Sequence, residues 1–233
     1  MAATQKVAAG QLPESTVQDL TADKLVHEYE RLREKWKDAS VAKQMQDVFG
    51  GKKRKRSKVK DALCIGIGSF SRDWQHRWRS LWQLVLFLDA AAQVQAKDMY
   101  AQDPAFTPLD VEFLARLGVG HVQTGIEQYM SVESFVFSPF VDWCILLPVF
   151  LKGKDPLWYV GNEILHDYTA YAQTTDKEDK LQECNELGDK FLHNRERLRL
   201  RDLEAHAHAL NGMVVYWKKE EEEEEEEEEK DTT

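Results

Sequence analysis

The sequence predicts a single α/β domain whose mostly parallel sheet is covered by helices on both faces, with helices ahead of it and an acidic tail behind. Three observations carry this. Strand-length apolar runs alternate with helix-period stretches over residues 61–217. The first run ends in a glycine turn, Gly66-Ile67-Gly68-Ser69, that feeds a long helical pattern. Of the 233 residues, the polar ends claim enough that one core is left.

Taken in order, residues 1–20 are small, polar and without period, and are expected to be disordered. Residues 21–51 form an N-terminal helical segment: Leu25, Tyr29, Leu32 and Trp36 follow Thr21 at helical spacing, and Val41, Met45 and Val48 mark a second short helix. Residues 52–60 form a basic linker, Lys52 to Lys60, with seven cations in nine positions. It reads as a signal for the nuclear import machinery, as a phosphate-contacting patch, or as a solvated connection.

The α/β unit spans residues 61–217. Ala62 to Ile67 is its first strand, and Trp74, Trp78, Leu81, Trp82, Val85 and Leu88 trace the helix after the turn. Met99 to Asp103 is a second strand, and Thr107-Pro108-Leu109-Asp110 opens a helix with proline in its first turn, stopped by Gly118. His121 to Thr124, Ser134 to Ser138 and Leu157 to Val160 are three further strands, and Pro148 interrupts a helix over Asp142 to Leu151. Leu181, Cys184, Leu187 and Phe191 share a helical face, and Met213 to Trp217 is expected to close the sheet at its edge. Residues 218–233 carry a run of like charges expected to be unfolded.

The net charge of -10 belongs to that run: Glu220 to Glu229 supply it all, Lys230 and Asp231 cancel, and residues 1–219 are neutral. A neutral folded part argues against tight duplex binding, so nucleic acid is not the expected partner. Cys64, Cys144 and Cys184 lie far apart without CxxC spacing or a charged-then-apolar leader, which fits a reducing compartment, cytoplasmic or nuclear. No apolar run approaches the roughly 18 residues of a membrane span, so no membrane partner is expected.

The candidate site follows from the strand, glycine turn and helix. Glycines there let backbone amides approach a phosphate or carboxylate at the positive end of the next helix. Ser71 stands where a third glycine would be, and Asp103, the acidic residue at the end of the second strand, comes 35 positions after Gly68 because the intervening helix is long. A ligand would lie beyond the carboxyl ends of the strands, where Gly66, Gly68, Ser69, Asp103, Pro139 and Asn162 would converge. The glycines would give backbone approach, Asp103 would accept a hydroxyl, and Asn162 would offer its amide; S-adenosylmethionine and a dinucleotide are the cofactors of that shape. The competing reading is a tight turn with Asp103 capping the loop before Pro104.

Other features point elsewhere. Buried cysteines act as small hydrophobes, and no Gly-x-Ser-x-Gly elbow is present, so no catalytic residue is assigned. His206 and His208, two apart on an expected helix, would face different ways, and no metal site is assigned. Trp74, Trp78 and Trp82 form one helical face, read as core, interleaved with Arg72, Arg77 and Arg79. The glutamate run reads as a solubilising extension, or as an arm that competes for basic partners and for the chain's own Lys52 to Lys60.

These motifs, across about residues 25–217, resemble the sensitivity-to-red-light-reduced family. Its Gly-x-Gly-Ser-Phe-Ser turn matches Gly66, Gly68, Ser69, Phe70 and Ser71 after Cys64, with Gln83 and Leu84 in the next helix. Its Asp-Pro-x-Phe-Thr element matches Asp103, Pro104, Phe106 and Thr107, followed by the acidic Asp110 and by Leu117-Gly118. Where the family has Pro-His-Cys, this chain has Pro139-Phe140-Val141; Gly161-Asn162 is kept, but Glu163 and Ile164 replace the usual serine and phenylalanine. The resemblance implies a Rossmann-like regulatory protein acting through protein partners, in a family linked to light and circadian signalling, haem metabolism and cytoskeletal stability. His166 is the substitute for the missing histidine if a tetrapyrrole were handled. The alternative is a transferase-like enzyme binding S-adenosylmethionine or a dinucleotide.

Overall fold

The computed structural model describes residues 12–50, 59–73 and 76–219. Most of the basic linker, Trp74 and the glutamate run lie outside the described residues. Helix α1 (Ala22–Trp36) begins where Thr21 Oγ1 accepts from the Lys24 amide, and its four-residue stripe Leu25, Tyr29, Leu32, Trp36 is buried as the spacing requires. Helix α2 (Ser40–Phe49) buries Val41, Met45, Val48 and Phe49. Both pack on α3 (Arg77–Gln93), and α1 also packs on α4 (Pro108–Arg116).

Seven strands form one sheet among the described residues: β1 (Asp61–Ile65), β2 (Asp98–Gln102), β3 (Gly120–His121), β4 (Phe135–Ser138), β5 (Trp158–Asn162), β6 (Arg195–Arg199) and β7 (Met213–Lys218). Their order is β3-β2-β1-β4-β5-β7-β6. The first five neighbours pair in parallel, while β7 runs antiparallel to both β5 and β6. Strand order reverses between β1 and β4, the switch point beyond whose carboxyl ends open α/β sheets bind their ligands.

Two cores lie on the two faces, giving three layers. Helices α1 to α4 cover one, over Ala62, Cys64, Phe135, Phe137 and Trp158. The other holds Leu63, Ile65, Val136 and Tyr159 beneath α5 (Trp143–Ile145), its continuation Leu146–Leu151, and α6 (Thr175–Leu192). The continuation is a π-helix; Pro148 has no N–H to donate, and the widened turn absorbs the lost rung. Polar pairs tie α1 to α3 within the first helical layer. Arg77, with a fully buried side chain, makes a bidentate pair with Glu28 at 2.7 and 2.8 Å, and Trp36 donates to Asp89.

The sheet departs from the sequence reading at its end. Met213–Lys218 is not the edge strand: it is flanked by β5 and by β6, which periodicity did not show. Arg-Glu-Arg-Leu-Arg reads as a solvated charge run because an edge strand keeps its exposed positions charged, which blocks pairing with other chains. Residues 12–20 have no helix or strand, as a polar segment should, but they are tied down. Ser15 Oγ and the Thr16 and Val17 amides donate to the Ser71 carbonyl, and Leu20 packs on the core.

Candidate functional site

The glycine turn is held from inside the chain. Gly66 and Gly68 have φ of +73° and +81°, the left-handed region that only glycine enters without cost. Asp103, at the end of β2, spends both carboxylate oxygens on backbone: Oδ2 accepts from the Gly68 amide at 2.6 Å and Oδ1 from the Ala105 amide at 2.7 Å. Asp110 holds the next residues, accepting from Ser69 Oγ at 2.6 Å and the Phe70 amide at 3.1 Å while closing the capping box of α4 with Thr107. Burial pushes the Asp110 carboxyl above its ordinary pKa, and these hydrogen bonds pull against that rise. Ser69 Oγ in turn accepts from the Ser71 and Arg72 amides.

Gly66 is also covered. A Cβ there would stand 2.3 Å from Val141 Cγ2 and 3.9 Å from the Pro139 carbonyl oxygen. Of the six candidate residues, Gly66, Gly68, Ser69 and Asp103 therefore form one latched turn, and Pro139 brings Val141 down upon it. Asn162 stands on the far side of Val141, with Nδ2 3.5 Å from the Val141 carbonyl oxygen. The backbone approach and the hydroxyl acceptor expected of the turn are both engaged by the chain itself.

The open space lies beside that turn. A cavity of about 580 Å³ opens at the carboxyl ends of β4 and β5, lined among others by Phe140, Val141, Trp143, Asn162, Tyr168 and Tyr171. The Trp143 and Tyr168 rings stack at 4.7 Å, and the Lys177 ammonium sits 5.7 Å above the indole while pairing with Asp142 at 2.6 Å. Burial would raise the Asp142 carboxyl, but Lys177 and the Cys144 amide outweigh it and hold it below its ordinary value.

Three observations mark this cavity as more than a surface dent. Phe140, at its rim, is 41% exposed and has φ of +57°, a conformation a bulky aromatic adopts only at a cost of about 1–2 kcal/mol. Arg79 stacks on its ring at 5.1 Å. The buried indole N–H of Trp143 finds no acceptor among the described residues. In the sheet nearby, Ser138 Oγ and Tyr159 OH are buried without a well-aligned hydrogen bond, although Ser138 eases the steep rise that burial imposes on the Tyr159 pKa. The Tyr159 hydroxyl lies 2.4 Å from where a Cβ on Gly161 would be, so the Gly161 of Gly161-Asn162 is needed to seat it.

Of the cavity lining, the sequence reading offered only Asn162 as a site residue. Two of the missed residues carry a usable signal: Phe140 and Val141 follow Pro139 ahead of the expected helix, and they stand where the resemblance has histidine and cysteine. Those two positions fall on the cavity rim and over the glycine turn.

The remaining candidates lie elsewhere. His206 and His208 sit in turns rather than on a helix, and His166 is exposed and bonded to Asp189. No group of metal-ligating side chains occurs among the described residues. Trp82 is core, as expected, while Trp78 is half-buried between Arg31 and Arg77. All three cysteines are free and buried, and burial pushes the Cys184 thiol up to about 11. No described helix is long and apolar enough to cross a membrane.

Two solved structures are similar in part: a human methyltransferase 10 domain containing protein, 11% identical over 76% of this chain and 80% of that one at a TM-score of 0.36; and cofactor-bound Rv0187 from MTB, 9% identical over 85% and 91% at 0.40. No curated protein matches. The SRR1 domain model, in contrast, matches residues 30–217, a span that runs from α1 through the latched turn and the cavity to β7, and so the chain belongs to the SRR1 domain family.

Proposed function

We propose that this SRR1 domain is a regulatory binding module, with the Rossmann-like sheet as its scaffold and the crevice between Phe140 and Tyr171 as its recognition surface. The observation that carries the reading is the latch: Asp103 gives both oxygens to backbone amides, and Val141 covers Gly66. The features that bind a nucleotide in such folds are thereby used to hold the turn. The crevice beside it offers aromatic walls and a strained exposed phenylalanine, which suit an apolar or aromatic side chain of a protein partner. Partners of this kind would be met in the cytoplasm and the nucleus, to which the basic stretch Lys52 to Lys60 would give access through the import machinery.

A second reading, a transferase-like enzyme that binds S-adenosylmethionine or a dinucleotide, is favoured by the reversal of strand order between β1 and β4, where such ligands are bound in open α/β sheets. Native mass spectrometry of the full chain, followed by calorimetric titration, separates the two. The module reading expects no heat on adding S-adenosylmethionine or dinucleotides, and an Asp103→Asn protein that loses stability only. A stoichiometric nucleotide-like adduct that disappears in Asp103→Asn would establish the enzyme reading instead.

A further inference from the structure

A second cavity, of about 550 Å³, lies at the opposite end of the sheet from the glycine turn, among the loop before β5, the end of α6 and the β6–β7 pair. Its charged lining is cationic: Lys154, Lys190, Arg195 and Lys218 face Asp155 and Asp189, with His193 beside them. Both carboxylates are already engaged. Asp155 is shared between Arg195 and Lys218, at 2.5 and 2.7 Å, and Asp189 holds His166.

Arg195 is built into this wall. Its side chain is 2% exposed and lies flat over the Phe191 ring at 4.2 Å, with Nη2 donating to Asp155 and to the Pro156 carbonyl. Its Nη1 is buried and has no acceptor among the described residues. A guanidinium carries five donors suited to a planar or tetrahedral oxyanion, and here the two on Nη1 are unfilled. Burial works against the charge of Arg195 more strongly than Asp155 supports it, so further negative charge would be favourable. The negative end of α6 points the same way as the cavity, but Lys190 and His193 stand in and just after its last turn and offset it.

We propose that this cavity is an oxyanion-binding site in which Arg195, Lys190 and Lys218 receive a carboxylate or phosphate. One source of that chemistry is attached to it. The Lys219 amide donates to the Asn194 carbonyl at the cavity edge, and the next residue in sequence, Glu220, begins the glutamate run. The other source is a free anion from solution.

The test is inorganic phosphate titrated at constant ionic strength against sodium chloride, read as the thermal midpoint and by calorimetry. It uses the full-length chain and a full-length variant with Glu220 to Glu229 all changed to glutamine. Saturable phosphate binding is expected, weakened roughly tenfold or more by Lys190→Gln, an exposed side chain whose loss leaves the fold intact. Arg195→Gln should abolish binding, with its unfolding transition measured alongside. Weaker binding to the natural chain than to the glutamine variant assigns the site to the tail's own carboxylates. Equal binding assigns it to a free anion. No saturable response beyond sodium chloride in either chain, or binding indifferent to Lys190→Gln, overturns the proposal.

Discussion

Gly66→Ala is the substitution that bears most directly on how the turn is used. At φ of +73° the new side chain enters the left-handed region, at about 1–2 kcal/mol for an L-residue. Its methyl group would stand 2.3 Å from Val141 Cγ2, well inside contact distance, and shifting a packed side chain costs about 1–3 kcal/mol more. The single change should therefore destabilise by roughly 2–5 kcal/mol. Val141→Ala alone removes half-buried methyl groups and should cost about 1 kcal/mol. In the double variant Cγ2 is gone and the nearest Val141 atom is Cβ at 3.8 Å, an ordinary contact. Only backbone strain and lost methyl burial remain, about 2–3 kcal/mol. The two changes should thus be coupled by about 1–3 kcal/mol in the favourable direction. Urea unfolding of the four full-length proteins, followed by tryptophan fluorescence, measures this. Strict additivity would mean that Val141 does not cover Gly66, and the argument that the turn is closed to a ligand would fall with it.

Gly188→Ala sets helix propensity against packing. Alanine gains about 1 kcal/mol inside a helix, but its Cβ would lie 2.3 Å from the Leu165 carbonyl oxygen, so a lower thermal midpoint is expected and a higher one would contradict the packing of α6. Glu28→Gln removes the carboxylate that pairs bidentately with the buried Arg77 guanidinium and should cost about 2 kcal/mol in urea unfolding; a neutral result would mean that α1 does not carry this pair. For Asp142, burial is outweighed by Lys177, and for Asp155 by Lys218 and Arg195, so both carboxyls are held below their ordinary values. Their contribution is complete above the unfolded carboxylate pKa of about 4 and is lost as pH falls through the lower folded values. Unfolding midpoints across that range should therefore drop toward acid, and Lys177→Gln should flatten the part that belongs to Asp142.

The physical basis of each element decides how legible it was. The α1 stripe, the capping residues Thr107 and Asp110, and the strand, turn and helix around Gly66 are local patterns, and the structure follows them. Strand β6 was hidden because charge protects an edge, so its composition resembles that of a loop. The mistaken edge position of β7 has the same cause: with β6 unseen, the last apolar strand had no outer neighbour to expect. In the site, Asp103 had two readings, a hydroxyl acceptor or a cap on the loop before Pro104; its Oδ1 makes the loop bond to Ala105, while the bond of Oδ2 to Gly68 was in neither. The cavity's aromatic residues escaped because they come from loops and from helical segments of three residues, too short to show a period.

The sequence by itself determined what depends on neighbours within a few positions: helix faces, helix starts and the glycine turn. Only the tertiary structure decided which acceptor each amide of the turn would find, because Gly68 and Phe70 take their partners from 35 and 40 positions away. It also decided that Val141 would cover Gly66, and that Arg195 would be buried with its Nη1 unpaired among the described residues. Such contacts are settled when distant segments pack into a shared volume, and no local spacing encodes them.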